Sequence, residues 1–261
     1  GPTEMGCDHP ATHHDQPSPT CKNVTMTGDA VVITSQSPNK CPSWGSGVPN
    51  VKSSGVISLR GVVKRFDGLT VMNGLDLDIH TGLTTVLCGR SGCGKSVLLR
   101  LMNGLMLPDE GTVKLFGEDT AKVHPQRLIE LRKRLTMMFQ SYALMDSFTV
   151  TENIAFPLYE NTSMTWDDIV PMVQDLLELL DLGHAGDKMP SDLSGGMKKR
   201  VSLARAVVTN PEVVLFDEPT TGLDPVMIEF VDQMIIRTRE HYGITSVIVS
   251  HDMTSTLRLA D

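Results

Sequence analysis

The hydrophobic pattern of the chain changes near residue 55. Residues 1–54 are rich in Pro, Ser, Thr and His and have no sustained periodicity that could bury a face. This composition predicts a disordered N-terminal tail, and the alternative is a short strand at residues 30–34 that packs on the domain. From residue 56 onward, short apolar runs alternate with helical patterns. The sequence therefore predicts a folded domain over residues 55–261.

Strand and helix patterns alternate within that domain, which is typical of an α/β fold with a mostly parallel core sheet. A helical stretch from about residue 141 to 190 interrupts the alternation and indicates an inserted α-helical subdomain. The period-2 or continuously apolar segments predict strands, and the segments with helical spacing predict helices. Strands are expected at 56–63, 75–79, 83–88, 112–116, 136–139, 213–216 and 246–249, and helices at 96–106, 166–180, 194–208 and 227–241.

Charge and composition narrow the class of protein. The net charge of -8 argues against nucleic acid as the main partner, because phosphate backbones require clustered Lys and Arg. The five cysteines show no C-x-x-C spacing, which favours a reduced, cytosolic compartment. No apolar stretch approaches the roughly 20 residues that span a bilayer, and the N-terminus is too polar for a secretory signal. If the protein serves a membrane, we expect it to act from the membrane surface.

A glycine-rich motif follows the apolar run at 83–88. Residues 89–96 match G-x-x-x-x-G-K-[ST] and stand between a predicted strand and a predicted helix. Glycines let backbone N–H groups turn toward phosphate oxygens, and the helix N-terminus adds partial positive charge. Lys95 is expected to reach the β and γ phosphates of ATP, and the Ser96 hydroxyl to bind Mg²⁺. The predicted nucleotide-binding residues here are Gly89, Arg90, Ser91, Gly92, Cys93, Gly94, Lys95 and Ser96.

Two carboxylates, Asp217 and Glu218, directly follow the apolar run at 213–216. A buried parallel strand places such residues at the carboxyl edge of the sheet, where α/β folds bind ligands. We expect Asp217 to hold Mg²⁺ through water and Glu218 to activate the attacking water as general base. Apolar strands that end in Asp-Glu are common, so the preceding phosphate-binding loop gives this motif its specificity.

A third motif, Leu193-Ser-Gly-Gly-Met197, lies between the first two and precedes a helix. By itself it indicates only a helix N-cap with flexible glycines. In this position it resembles the L-S-G-G-x signature of the ABC ATPase family, and the resemblance covers essentially residues 56–261. It implies a P-loop NTPase of the ABC type, with a mostly parallel core sheet, an N-terminal antiparallel β subdomain and an inserted α-helical subdomain.

The resemblance also implies a mechanism and further site residues. Family members hydrolyse Mg-ATP as head-to-tail dimers, in which Ser194, Gly195 and Gly196 of one chain would close over ATP held by the other. Phe66 resembles the aromatic residue that stacks on adenine, although a core-packing phenylalanine is the alternative. The remaining residues implied by the resemblance are Gln140 as the Q-loop residue that contacts Mg²⁺ and relays contact with the membrane subunit, Asp224 in the D-loop and His251 as the switch histidine on the γ phosphate.

Met197 stands where most ABC signatures have Gln. Together with the segments 139–146, 149–153, 155–158 and 189–194, it resembles the Mla/Mce-type ATPases that move phospholipids or related lipids between membranes. That resemblance implies a second copy of the chain, integral membrane permease subunits, an MCE-domain lipid-binding subunit and often a STAS-domain partner. It also implies a peripheral location on the cytoplasmic face of the inner membrane.

Two other functions are compatible with parts of the sequence. The ATPase of an amino-acid or peptide importer has the same chemistry, but its signature is ordinarily L-S-G-G-Q. A soluble, non-transport ABC protein usually has two cassettes or a long coiled-coil insertion, and neither occurs here. Family members continue with further strands after the position of Asp261, so we expect this sequence to be a fragment.

Overall fold

The structure is a computed structural model that describes residues 22–27, 30–35, 55–90 and 92–259. It gives only the backbone for the first two ranges and for residue 253. Strands β1 (Lys22–Thr27) and β2 (Ala30–Ser35) lie within the predicted disordered tail, so that prediction is wrong for these residues. The alternative of a strand at residues 30–34 describes the structure better. The rest of the predicted tail lies outside the described residues.

A six-stranded sheet forms the centre of the fold. It contains β1 and β2 together with β5 (Thr84–Gly89), β8 (Leu135–Met138), β9 (Val213–Asp217) and β10 (Thr245–Ser250), in the order β1-β2-β5-β10-β9-β8. The last four strands of that order are parallel. Every residue of β9 and β10 is buried, as expected for strands that are covered on both faces.

Strand β2 pairs antiparallel with β5, from Ala30 opposite Gly89 to Thr34 opposite Thr85. An edge strand presents a row of backbone N–H and C=O groups that another strand can pair with. The β-branched run at 31–34 has the propensity to form that strand. Sequence periodicity did not predict this pairing, because the run is short and its partner is distant in sequence.

A second sheet is antiparallel, and it confirms the expected N-terminal β subdomain. Its strands are β3 (Ile57–Phe66), β4 (Leu69–Ile79), β6 (Glu110–Leu115) and β7 (Glu118–Asp119), in the order β4-β3-β6-β7. The hairpin of β3 and β4 turns at Asp67 and Gly68, whose φ angles are 46° and 84°. Positive φ at both central residues matches the twist of a two-residue hairpin.

Seven helices surround the sheets in the described part of the chain. They are α1 (Lys95–Met102), α2 (Pro125–Lys133), α3 (Val150–Asn161), α4 (Trp166–Leu179), α5 (Gly195–Val207), α6 (Pro225–Tyr242) and α7 (Met253–Leu259). A 3₁₀ turn at Pro190–Asp192 precedes α5. None of the helices in the described ranges is long and apolar enough to cross a membrane.

The two faces of the six-stranded sheet bury different hydrophobic clusters. Val86 and Ile248 belong to the cluster formed with α3, α4, α5 and α6, whereas Leu87 and Val247 belong to the cluster formed with α1 and the antiparallel sheet. Neighbouring strand residues point to opposite faces, so each strand contributes to both clusters. The six-stranded sheet is therefore the central layer of the fold. It packs against α3, α4, α5 and α6 on one face and against α1 and the antiparallel sheet on the other.

The inserted helical region differs from its predicted start. Its first helix, α3, begins at Val150, and residues 141–149 form turns and irregular structure. Tyr142 and Ala143 have φ angles of 60° and 51°, which a right-handed helix does not allow. Helix α2 was not predicted, because Leu131 is its one buried residue and its sequence has no apolar face.

Candidate functional site

The glycine-rich loop connects β5 to α1 at the carboxyl edge of the parallel sheet. Gly92 and Gly94 have φ angles of 81° and 93°, and Gly94 is the N-cap of α1. A Cβ atom at Gly94 would come within 2.5 Å of Val71 on β4, so both the conformation and the space at this position require glycine. Ser91, another predicted nucleotide-binding residue, lies outside the described residues.

Lys95 turns its ammonium back into this loop and is only 8% exposed. Its Nζ donates hydrogen bonds to the carbonyl oxygens of Gly89 at 2.8 Å and Arg90 at 2.9 Å. The backbone N–H of Cys93 also donates to the Arg90 carbonyl, at 3.3 Å. The loop therefore encloses a cation beside a helix N-terminus, an arrangement that favours phosphate oxygens.

Ser96 and Asp217 bring two oxygen ligands together. The Ser96 hydroxyl donates to Oδ1 of Asp217 at 3.0 Å, although the two residues are 121 positions apart. Burial raises the pKa of the Asp217 carboxyl, and the Ser96 hydrogen bond opposes that shift. Among the described residues, no group of three or more His, Cys, Asp or Glu side chains could hold a metal. Hydroxyl and carboxylate oxygens nevertheless fit Mg²⁺, which takes few protein ligands and completes its shell with phosphate and water.

Glu218 lies where Lys95, Thr221 and His251 converge. Its Oε2 accepts a hydrogen bond from the Thr221 hydroxyl at 2.7 Å and lies 3.2 Å from Nδ1 of His251. Its Oε1 lies 3.9 Å from Nζ of Lys95. The backbone of Glu218 has a φ of 50°, and its N–H donates to the Val249 carbonyl at 3.0 Å. The structure thus brings two predicted catalytic residues, Lys95 and His251, to the carboxylate of a third, Glu218.

Gln140 joins this group through its backbone. Its carbonyl accepts a hydrogen bond from Nζ of Lys199 at 3.0 Å, and the same ammonium lies 3.4 Å from the carbonyl of Glu218. The Gln140 side chain is exposed and forms no hydrogen bond to Ser96 or Asp217 in the described part of the chain. Its role as a metal ligand stays a prediction.

Ser194 and Asp224 are the N-caps of α5 and α6, two helices that pack against each other. Ser194 is the N-cap of α5, and its Oγ accepts from the Met197 N–H at 3.3 Å. Asp224 caps α6 in the same way, and a Cβ at Gly196 would overlap Met227 on that helix. Ser194 and Gly195 are exposed. Within the described ranges, no hydrogen bond or ion pair joins these residues to Lys95, and their part in nucleotide binding stays a prediction.

Phe66 ends β3 and does not belong to either hydrophobic cluster. It is 38% exposed, so the alternative of a core-packing phenylalanine is wrong. Lys64 Nζ lies 5.5 Å from the centre of its ring, and Gly94 approaches Val71 on the adjoining strand. The Phe66 ring is therefore partly exposed on the hairpin that borders the phosphate-binding loop, and stacking on adenine stays a prediction.

Three residues at the site were missed in the sequence: Asn153, Lys199 and Thr221. A signal existed for Lys199, because it falls on the buried stripe of α5 between Gly196 and Leu203. Its neighbours Lys198 and Arg200 made the segment look like a solvated charge run. Asn153, on α3, bonds the loop before that helix, and Thr221 bonds Glu218, and no sequence motif marks either contact.

Comparison with known proteins identifies relatives of this chain. Residues 72–221, more than half of the chain, match the family described as ABC transporter. The chain is 36% identical over 206 residues to the intermembrane phospholipid transport ATP-binding protein MlaF of Haemophilus influenzae, covering 79% of this chain and 78% of that protein. It is 40% identical over 198 residues to the methionine import ATP-binding protein MetN of Clostridium acetobutylicum, covering 76% and 62%.

A solved structure supports the fold. The dimeric structure of MJ0796, a bacterial ABC transporter cassette, matches with a TM-score of 0.70 and 28% identity, and the match covers 77% of this chain and 90% of that one. The same cassette is known in a post-hydrolysis state bound to ADP and Pi, at a TM-score of 0.69. These likenesses confirm the α/β fold and the family resemblance that the motifs indicated.

Proposed function

This chain belongs to the ABC transporter family, and we propose that it is the ATP-hydrolysing subunit of a transporter that moves phospholipid between membranes. The observation that carries the catalytic part is the convergence of Lys95, Thr221 and His251 on the Glu218 carboxylate. The likeness to MlaF over 79% of the chain supports the lipid substrate. Met197 in the signature agrees with that branch.

The substrate phosphates would bind where Lys95 now contacts two backbone carbonyls. Its ammonium can exchange these neutral acceptors for anionic phosphate oxygens, which form stronger hydrogen bonds. Ser96 would hold Mg²⁺ directly, Asp217 would hold it through water and Gln140 would approach from the loop after β8. When bound, Mg²⁺ supplies positive charge between the phosphate oxygens.

Glu218 is the general base of this proposal. Thr221 and His251 occupy its Oε2, which leaves Oε1 directed toward the Lys95 ammonium and the phosphate position. A water molecule held by Oε1 attacks the γ phosphorus, its proton passes to the carboxylate, and the bond to the ADP oxygen breaks. His251 is more than half exposed, so it is free to contact the γ phosphate when nucleotide is bound.

The complete site would need two chains. Ser194 and Gly195 are exposed at the N-terminus of α5, and in the described part of the chain no hydrogen bond joins them to the phosphate-binding loop. That helix end presents N–H groups and partial positive charge, which suit the γ phosphate held by a second copy. The dimeric relative MJ0796 supports this arrangement.

The likeness to MlaF supports a proposal for the wider assembly. The proposed partners are integral membrane permease subunits, an MCE-domain lipid-binding subunit and a STAS-domain protein, with the chain peripheral on the cytoplasmic face of the inner membrane. The second candidate is the ATPase of an amino-acid importer, which the 40% identity to MetN favours. Lipid analysis of the complex purified from its membrane separates the two, since enrichment of phospholipid over the bulk membrane is expected for the first function alone.

The substitution Glu218→Gln tests the catalytic assignment. It keeps the size and polarity of the side chain but removes the base, so ATP binding should persist while kcat falls by about 10²- to 10⁴-fold. Glu160→Gln, at an exposed carboxylate on α3, is the matched control and should hydrolyse ATP at the parent rate. Hydrolysis by Glu218→Gln within a few-fold of the parent chain would reject the assignment.

The Glu218→Gln background also tests the shared site. With saturating ATP, this variant should dimerise in the presence of its membrane subunits, because bound nucleotide is not consumed. Adding Ser194→Arg should abolish the dimer and leave ATP binding to the monomer intact. Light scattering with and without ATP measures both results, and a Ser194→Arg variant that still dimerises would contradict the shared-site proposal.

A further inference from the structure

Lys199 is a buried ammonium to which no motif assigns a role. Its exposed fraction is 1%, and it is among the largest fully buried side chains of the described residues. No carboxylate lies within ion-pair distance of its Nζ in that part of the chain. Lysine is almost never fully buried without an ionic partner, because removing its charge from water is costly. The contacts that Lys199 makes in place of an ion pair should therefore explain why this position holds a lysine.

The contacts of Lys199 lie on two separate catalytic loops. Its Nζ is 3.0 Å from the carbonyl oxygen of Gln140, which follows β8, and 3.4 Å from that of Glu218, which follows β9. It also lies 5.0 Å from the centre of the Tyr142 ring. Both loops have left-handed backbone conformations, with φ of 60° at Tyr142 and 50° at Glu218. Non-glycine residues keep such conformations only where surrounding contacts hold them.

We propose that Lys199 is a positioning residue that ties the Gln140 loop to the backbone of Glu218, so that movement of this loop displaces the general base. This inference rests on the proposed function of Glu218. Burial lowers the pKa of the Lys199 ammonium, while the charges of Glu218 and Asp217 oppose that shift. The side chain extends from α5, whose first turn carries the signature residues. One ammonium therefore connects the signature helix, the Gln140 loop and the backbone of the catalytic Glu218.

Two other residues of α5 hold the same loop without reaching Glu218. The Ser202 hydroxyl donates to the Tyr142 carbonyl at 3.1 Å. The Arg205 guanidinium donates to the carbonyls of Tyr142 at 2.8 Å and Ala143 at 2.5 Å. Arg205 therefore offers a matched comparison, because its removal loosens the loop but leaves the link between Gln140 and Glu218 intact.

The test compares three methionine variants, Lys199→Met, Arg205→Met and Lys198→Met, as the full chain assembled with its membrane subunits. Lys199→Met should lower kcat by about 10- to 100-fold, the range expected for a misplaced catalytic group. Its KM and Kd for ATP should change by less than about threefold, because the nucleotide contacts remain. Lys198→Met removes the neighbouring charge and should keep the parent kcat, and Arg205→Met should lose less kcat than Lys199→Met.

Lys199→Gln keeps two N–H donors without the charge, and its kcat should lie above that of Lys199→Met. A kcat for Lys199→Met within about twofold of the parent would overturn the inference, since positioning losses are larger. Equal kcat losses in Lys199→Met and Arg205→Met would also overturn it, because loop anchoring alone would then suffice. If Lys199→Met fails to fold, as measured by urea unfolding, Lys199→Ala, which also lacks the N–H donors, becomes the test, and a kcat within about twofold of the parent there overturns the inference.

Failure of this inference is distinguishable from failure of the proposed function. If Glu218→Gln is inactive and Lys199→Met is normal, only the positioning role is wrong. If Glu218→Gln hydrolyses ATP at the parent rate, the assignment of the base is wrong, and the positioning role falls with it.

Discussion

Asn153 is a fully buried polar residue that holds the segment between Gln140 and α3. It has no exposed surface, and its Nδ2 lies 3.0 Å from each of the carbonyl oxygens of Met145, Phe148 and Thr149. Its Oδ1 accepts from the Met145 N–H at 2.8 Å. One amide therefore fixes five residues of irregular backbone against the first turn of α3. We predict that replacing it destabilises the whole helical region.

The magnitude follows from these contacts. Asn153→Ala removes two N–H donors and one acceptor, and at about 0.5–1.5 kcal/mol for each hydrogen bond the free energy of unfolding should fall by about 2–4 kcal/mol. Asn153→Asp keeps the acceptor for Met145 but turns a carboxylate toward three carbonyl oxygens. It should cost more than alanine, because a buried charge without a donor is the more expensive group.

Urea unfolding followed by circular dichroism measures these differences through the midpoint and the slope. Asn161→Ala is the matched control, since Asn161 is exposed on the same helix and donates one hydrogen bond, to the Pro157 carbonyl. It should change stability by no more than about 0.5 kcal/mol. The reasoning is refuted if Asn153→Ala costs as little as this control, or if Asn153→Asp is milder than alanine.

Three further predictions concern catalysis, pH dependence and nucleotide protection. Thr221→Val removes the 2.7 Å hydrogen bond to Glu218. It should lower kcat at least about tenfold, because a hydrogen bond to a charged group is worth about 1.5–3 kcal/mol. Thr221→Ser keeps the hydroxyl and should restore kcat. Hydrogen bonds from Lys64 and the Arg65 N–H hold the pKa of Asp109 below its usual range. This carboxylate therefore stabilises the fold above the usual aspartate pKa and loses that contribution as pH falls through its folded pKa. The stability difference between the parent and Asp109→Asn, measured by urea unfolding, should shrink from about pH 5 to about pH 2. Cys93, partly exposed in the phosphate-binding loop, should be alkylated more slowly with Mg-ATP, as mapped by mass spectrometry.

Each of these three predictions has an outcome that would contradict it. An unchanged kcat for Thr221→Val, or no recovery with serine, would remove the hydroxyl from the site. A stability difference at Asp109 that does not vary with pH would contradict the shifted carboxylate. Equal labelling of Cys93 with and without nucleotide would contradict its place beside the phosphates, and the buried Cys88 is the internal control for unfolding.

The sequence by itself determined the elements that depend only on interactions between residues close together in the chain. The glycines at 92 and 94, the lysine that follows and the apolar strand before Asp217 predict a phosphate-binding loop and a carboxylate at a sheet edge. Their geometry depends on backbone conformation and strand burial over a few neighbouring residues. Met197, together with the segments 139–146, 149–153, 155–158 and 189–194, likewise indicated the branch of the family, which the likeness to MlaF supports.

Only the tertiary structure decided which polar residues become buried and which distant segments pair. Lys199 stands in a run of basic residues, and its burial depends on how α5 is oriented against loops 59 and 19 positions away. The pairing of β2 with β5 joins segments more than 50 residues apart. Periodicity reports the face of one element, whereas these contacts depend on the elements that pack against it, and that information is not local in the chain.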